Sequence, residues 1–148
     1  MKKSNILISA CLCGFDCRYN GESVICSEFS KLKDRYHLIP VCPEILGGLT
    51  TPRSPAEICG KRVITVDGED VTSAFLRGAE ECLHAASRFD CRIAVLKERS
   101  PSCGCGQVYD GSFSGKLVSG DGITAGLLKN SGIYILTENS IQEFFMED

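Results

Sequence analysis

The segment Ile93-Ala-Val-Leu-Lys-Glu-Arg-Ser-Pro-Ser-Cys-Gly104 decides how the rest of the chain is read. Its first four residues are apolar and β-rich and predict a buried strand. Pro101 lacks an N–H and disfavours a helix, so the chain must turn there. Ser100, Ser102 and Cys103 are then presented at a strand's carboxyl end, the edge of an open α/β sheet where ligands bind. Two other apolar runs end the same way. Residues 5–10 lead into Cys11, and residues 36–41 into Cys42.

Working outward, helical spacing recurs at 27–36, 73–89 (with Thr72 as a cap), 123–129 and 140–146. A further strand is expected at 133–136. Residues 62–66 read as a strand of a small ribbon, with Asp67-Gly68 as a turn. Pro43 is expected to stop regular structure, leaving Cys42 and Glu44 at a loop tip. Gly47-Gly48, Pro52 and Pro55 make 45–55 an irregular surface segment. The glycine-rich stretch 104–122 reads as a hairpin or flap, with turns at Asp110-Gly111 and Ser114-Gly115. The alternation of strands and helices predicts an α/β fold: a single three-layer domain over residues 1–148, with a mainly parallel sheet and helices on both faces. Right-handed crossovers place the strands' carboxyl ends on one edge.

The chain has 148 residues, 43% hydrophobic and 24% charged, with a formal net charge of −3. Such a balance, with no long basic run, argues against a nucleic-acid polymer as partner. No apolar run is long enough to span a membrane. Ten cysteines are present, and the N-terminal apolar run lacks an export-signal pattern. The expectation is a cytoplasmic protein whose reduced thiols serve as metal ligands, ahead of a disulfide framework. Cys82 and Cys91 lie among apolar residues and read as small buried side chains.

Cys11, Cys42 and Cys103 are separated by 31 and 61 positions. On one parallel sheet they can face a common crevice. Thiolates suit zinc, copper or iron–sulfur clusters, and ligands spread over three strand ends differ from the paired knuckles of structural zinc modules. A cube of four irons held by three cysteines leaves one iron open; a zinc site and inert thiols stay as alternatives. Cys13 and Cys105 compete as ligands, and Cys17 and Cys26 could join a second metal site. Glu44, two residues after Cys42, suits proton transfer beside such a centre. Ser100 and Ser102 could bond substrate or simply close the turn. Arg53 could bind a substrate carbonyl or carboxylate, or pair at the surface with Glu57 four residues on. Neither His37 nor His84 is placed for a nucleophilic dyad, and no glycine pattern forms a phosphate cradle.

The segments Ser9-Ala-Cys11-Leu, Cys17-Arg-Tyr-Asn-Gly21, Pro40-Val-Cys42-Pro-Glu44, Gly47-Gly-Leu49, Pro52-Arg53, Leu96-Lys97, Ser100-Pro-Ser-Cys-Gly104, Tyr109-Asp-Gly111 and Gly122-Ile-Thr-Ala125 carry a resemblance. Over nearly its whole length the chain resembles the small bacterial proteins long catalogued as a domain of unknown function, which include the 2-thiouracil desulfurases (desulfidases). The resemblance implies an α/β fold and an oxygen-sensitive [4Fe-4S] cluster held by Cys11, Cys42 and Cys103. It implies that Glu44 and a serine of the Ser-Pro-Ser turn, placed at Ser100, assist catalysis; Ser102 and Arg53 are the candidates for substrate contact. The implied reaction is non-redox removal of sulfur, as sulfide, from a small thiolated heterocycle such as 2-thiouracil. Two alternatives are cluster-dependent sulfur transfer to an acceptor and a zinc-binding structural or regulatory module.

Overall fold

The computed structural model describes residues 3–146. Strand β1 (Ser4–Ser9) passes through a 3-10 turn (Ala10–Cys13) into a long loop. Helix α1 (Phe29–Arg35) and strand β2 (Tyr36–Val41) follow, then a one-turn helix α2 (Pro43–Leu46). Strands β3 (Ala56–Cys59) and β4 (Arg62–Thr65) form an antiparallel ribbon. Helix α3 (Thr72–Arg88) leads to β5 (Ile93–Leu96), and β6 (Gln107–Tyr109) pairs antiparallel with β7 (Leu117–Ser119). Helix α4 (Ile123–Asn130), strand β8 (Tyr134–Thr137) and helix α5 (Ile141–Met146) complete the order.

The main sheet runs β2-β1-β5-β8 with every pairing parallel. Its strands alternate between two cores because successive strand side chains point to opposite faces. Leu7, Ala94 and Leu96 pack with Cys82 and Ala86 of α3 and with Ala125 and Leu128 of α4. Ile6, Ile8 and Val95 pack with Leu12, Leu32 of α1 and Ile141 of α5. The expected α/β sandwich, with helices on both faces of a parallel sheet, is what the chain forms. From β1 the chain moves to one side to make β2, then returns past β1 to make β5. Strand order therefore reverses between β1 and β5, and the crevice beyond their carboxyl ends is the place where such sheets bind ligands.

Several local expectations change. Pro43 starts a helical turn instead of stopping regular structure: it occupies the first turn of α2, where a missing N–H costs nothing. Consequently Ile45 and Leu46 belong to α2, not to an irregular segment. Asp67-Gly68 does make a turn, with the Gly68 N–H donating to the Thr65 carbonyl at 2.9 Å. The ribbon's own reversal, however, falls at residues 60–61, and β3 is the partner strand. Thr72 is the first residue of α3 and not its cap; its N–H donates to Asp70 at 2.9 Å.

Helix α2 sits directly on α3 because glycine stands on both sides of the crossing, Gly78 within α3 and Gly47 just after α2. A Cβ on Gly78 would lie 1.9 Å from the Pro43 carbonyl oxygen, and one on Gly47 would lie 2.0 Å from that of Ala74. Arg77 also donates to the Gly47 carbonyl at 2.9 Å. Alanine at position 78 is favoured by helix propensity by about 1 kcal/mol, but the overlap must push α2 away. Gly78→Ala is expected to lower the unfolding free energy by a net ~2 kcal/mol or more. A guanidinium denaturation midpoint equal to the parent's would contradict so close a crossing.

Candidate functional site

A cleft of about 500 Å³ opens beyond the carboxyl ends of β1, β2 and β5. Its floor is built by three chain segments that the sequence keeps apart. Cys11 lies in the turn after β1, Cys42 immediately follows β2, and Cys103 follows the loop after β5. All three line the cleft, as do Glu44, Arg53 and Ser100. All ten cysteines are free thiols.

Local bonding explains the placement of each group. Ser9, at the end of β1, is buried and accepts a hydrogen bond from the Lys97 N–H at 3.0 Å. That bond ties the two strand ends from which Cys11 and Cys103 depart. The Lys97 ammonium pairs with Glu138 at 2.9 Å, and Glu138 also accepts from the Glu98 N–H at 2.6 Å. Thus the segment after β5 is stitched to the turn after β8. The Ser100 hydroxyl oxygen accepts from the N–H groups of both Ser102 and Cys103, each at 3.0 Å. These two bonds fix the turn and leave the hydroxyl proton free to be donated into the cleft.

Ser102 points the other way. It is fully buried, its hydroxyl shares a 2.7 Å bond with Thr124 of α4, and it is not part of the cleft wall. The two serines flanking Pro101 therefore separate into one that faces the cavity and one that faces the core.

Arg53 does not pair with Glu57. Its Nε donates to Glu44 at 3.1 Å, and its side chain is only 8% exposed. Its remaining N–H groups reach the Thr50 carbonyl at 3.0 Å, the Thr51 hydroxyl at 2.9 Å and the Cys17 carbonyl at 2.9 Å. A planar guanidinium held on so many sides fixes Glu44 rather than swinging towards solvent.

Burial is the main electrostatic influence on the thiols. It pushes Cys11 up to about 11, with the neighbouring Cys42 adding to the effect. Burial raises Cys103 well above the usual thiol range, against a hydrogen bond from Ser9 that favours the thiolate. Neutral thiols in a partly dry cleft become thiolates when a cationic centre displaces their protons.

Among the described residues, no three His, Cys, Asp or Glu side chains converge closely enough to hold one metal ion. A zinc ion needs its sulfurs about 2.3 Å away on all sides, so the zinc module lacks a donor set here. An iron–sulfur cube is gripped at separate corners and needs its cysteines farther apart, each on its own rigid support. Three soft donors on three strand ends around a single cleft fit that requirement.

The competing thiols are distributed differently. Cys13 and Cys26 pack with the α1 and α5 face of the core. Cys105 lies beside Asp121 and Lys129. Neither Cys13 nor Cys105 is part of the cleft wall. Cys17 is: its carbonyl lies 3.8 Å from the Cys42 sulfur, and burial together with Cys42 pushes its thiol up to about 12. The sequence spacing did not single out Cys17 for this cleft, nor Glu57, Tyr109 and Phe113, which also line it. Glu57 lies in a four-residue strand, and only its ribbon partner reveals which face it occupies.

The parallel sheet, the crevice at its reversal point and the three separated thiols around it define an α/β protein with a thiol-lined small-molecule cleft. The chain belongs to the 2-thiouracil desulfurase family, whose model matches residues 6–140. It is 43% identical over 148 residues to the uncharacterized protein YbbK of Bacillus subtilis (strain 168), covering 93% of this chain and 98% of that one. Among solved structures it is similar to the [4Fe-4S]-dependent thiouracil desulfidase TudS. That match has a TM-score of 0.91 and 41% identity and covers 98% of this chain and 97% of the other. Among the described residues no helix is long and apolar enough to cross a membrane.

Proposed function

We propose that this chain is a [4Fe-4S]-dependent desulfurase that replaces the sulfur of a thiouracil-type heterocycle with oxygen. The observation that carries the reading is the meeting of Cys11, Cys42 and Cys103 in one cleft with Glu44 and Ser100. Family membership and the likeness to TudS support it. Cys11, Cys42 and Cys103 would hold the cluster, which when bound supplies an open iron as a Lewis acid for thiocarbonyl sulfur. Glu44, oriented by Arg53, takes a proton from the attacking water. Ser100 donates its free hydroxyl proton to charge developing at the reacting carbon. Arg53 acts through Glu44, and Ser102 through the turn and its bond to Thr124. Overall, water and a thiocarbonyl give a carbonyl and hydrogen sulfide, with no net electron transfer.

The decisive experiment is anaerobic purification followed by a visible spectrum, iron and sulfide assays, and incubation with 2-thiouracil. The expected protein is brown, with about four irons per chain, and it releases uracil and sulfide. Stripping the iron is expected to abolish turnover, and reconstitution to restore it. Full turnover by iron-free protein would overturn the proposal. Sulfur recovered on an added thiol rather than as free sulfide would make the reaction a transfer.

A further inference from the structure

The roof of the cleft is held by a carboxylate that the desulfuration chemistry does not use. Glu57 in β3 is 9% exposed, and its Oε1 accepts two backbone hydrogen bonds, from Gly111 at 2.9 Å and Phe113 at 3.1 Å. Those residues form the tip of the β6–β7 hairpin, which belongs to a different sheet from β3. The tip is shaped for this approach. Gly111 has φ +94°, and a Cβ there would stand 2.8 Å from the Ile58 carbonyl oxygen and 3.0 Å from the Cys59 sulfur. The Cys59 thiol contacts the Gly111 carbonyl at 3.6 Å. Phe113, between the gripped amide and the return strand, adopts φ +57°, a left-handed conformation that a bulky residue keeps only when its surroundings enforce it. Tyr109, Phe113 and Gly115 of the same hairpin line the cleft.

Two amides on one carboxylate oxygen form charge-assisted bonds, stronger than neutral pairs. They join the hairpin tip to the β3–β4 ribbon at the point where Phe113 meets the cavity. We propose that Glu57 is a positioning residue that latches this hairpin over the cleft, holding Phe113 against the face of a bound planar ring and so setting substrate affinity. The kinetic part of this proposal rests on the desulfurase reading. The latch itself does not.

Hydrogen exchange on the full chain without substrate tests the latch. In Glu57→Ala the Gly111 and Phe113 amides are expected to exchange at least about tenfold faster, while amides of β1 and β5 keep their protection. Glu57→Gln retains an acceptor oxygen and is expected to restore slow exchange at both. With 2-thiouracil, the cluster-loaded Glu57→Ala protein is expected to show a KM raised about tenfold and kcat within about threefold of the parent. Phe113→Ala is expected to reproduce the KM effect, and Glu57→Gln to sit near the parent. Should Glu57→Ala not fold, Gly111→Ala loosens the same contact from the other side and carries the same expectation. Unchanged exchange at the two amides would overturn the latch, and a kcat loss with KM intact would overturn its role in substrate affinity. Loss of protection across the whole sheet would also overturn it, reducing Glu57 to general stabilisation. Inactivity of the parent towards 2-thiouracil would instead count against the desulfurase reading, leaving the exchange result to decide the latch.

Discussion

Serine at position 42 is expected to give a folded but colourless protein. A hydroxyl is too weakly acidic and too hard a donor to replace a thiolate on iron. With one of three protein ligands gone, Cys42→Ser should lose nearly all bound iron and more than about a thousandfold of desulfuration activity. Cys11→Ser and Cys103→Ser should behave alike, since each removes one corner support. Cys105→Ser is the matched control. Its sulfur lies beside Asp121 and Lys129, away from the cleft, and colour and rate should both survive. Iron analysis and visible absorbance after anaerobic purification read the outcome directly. Colour lost in Cys17→Ser but kept in Cys103→Ser would reassign the ligand set to the thiol beside Cys42.

Glu44→Gln should separate chemistry from cluster binding. The amide keeps the size of the side chain and an oxygen for Arg53, so iron content and the visible spectrum should match the parent's. What disappears is the group that accepts a proton. Turnover is expected to fall by about 10²- to 10⁴-fold, equivalent to ~3–5 kcal/mol of transition-state stabilisation. Arg53→Met leaves the carboxylate but removes the 3.1 Å contact that aims it. A smaller loss, about ten- to a hundredfold, is expected there, because misorientation alone is less damaging than removal of the base. Parent-like turnover in Glu44→Gln would transfer the proton step to another group in the cleft.

Much of this site was legible in the sequence because it depends on strand ends. A short apolar run that ends in cysteine announces both a strand and its exit; Cys11 and Cys42 follow such runs directly, and Cys103 follows one across the Ser-Pro-Ser turn. What was not legible depends on tertiary partners. Ser100 and Ser102 flank the same proline and look equivalent along the chain. Only the Thr124 hydroxyl, brought in by α4, turns one of them inward. Arg53 has Glu57 at the spacing of a local ion pair, yet its real partner is Glu44, because α2 carries that carboxylate back over the cleft. The proline of α2 carried the wrong message for a related reason. The same ring that breaks a helix interior is welcome in a first turn, and local sequence does not distinguish the two at Pro43. Cys11 and Cys13 were also indistinguishable by spacing; both lie in the 3-10 turn and touch the same core, and only Cys11 also reaches the cleft.

The order in which the three floor thiols occur along the chain has a consequence during synthesis. A nascent polypeptide that has cleared the ribosome through position 42 carries two of these thiols and both strands that space them, but not yet β5, which pairs with β1 and leads to the third. Iron delivered at that moment would meet two of the three proposed ligands and an incomplete cleft. On the proposed ligand set, a complete site exists only once β5 and the loop after it have joined the sheet, and until a cluster is seated the bare sulfurs stay open to oxidants.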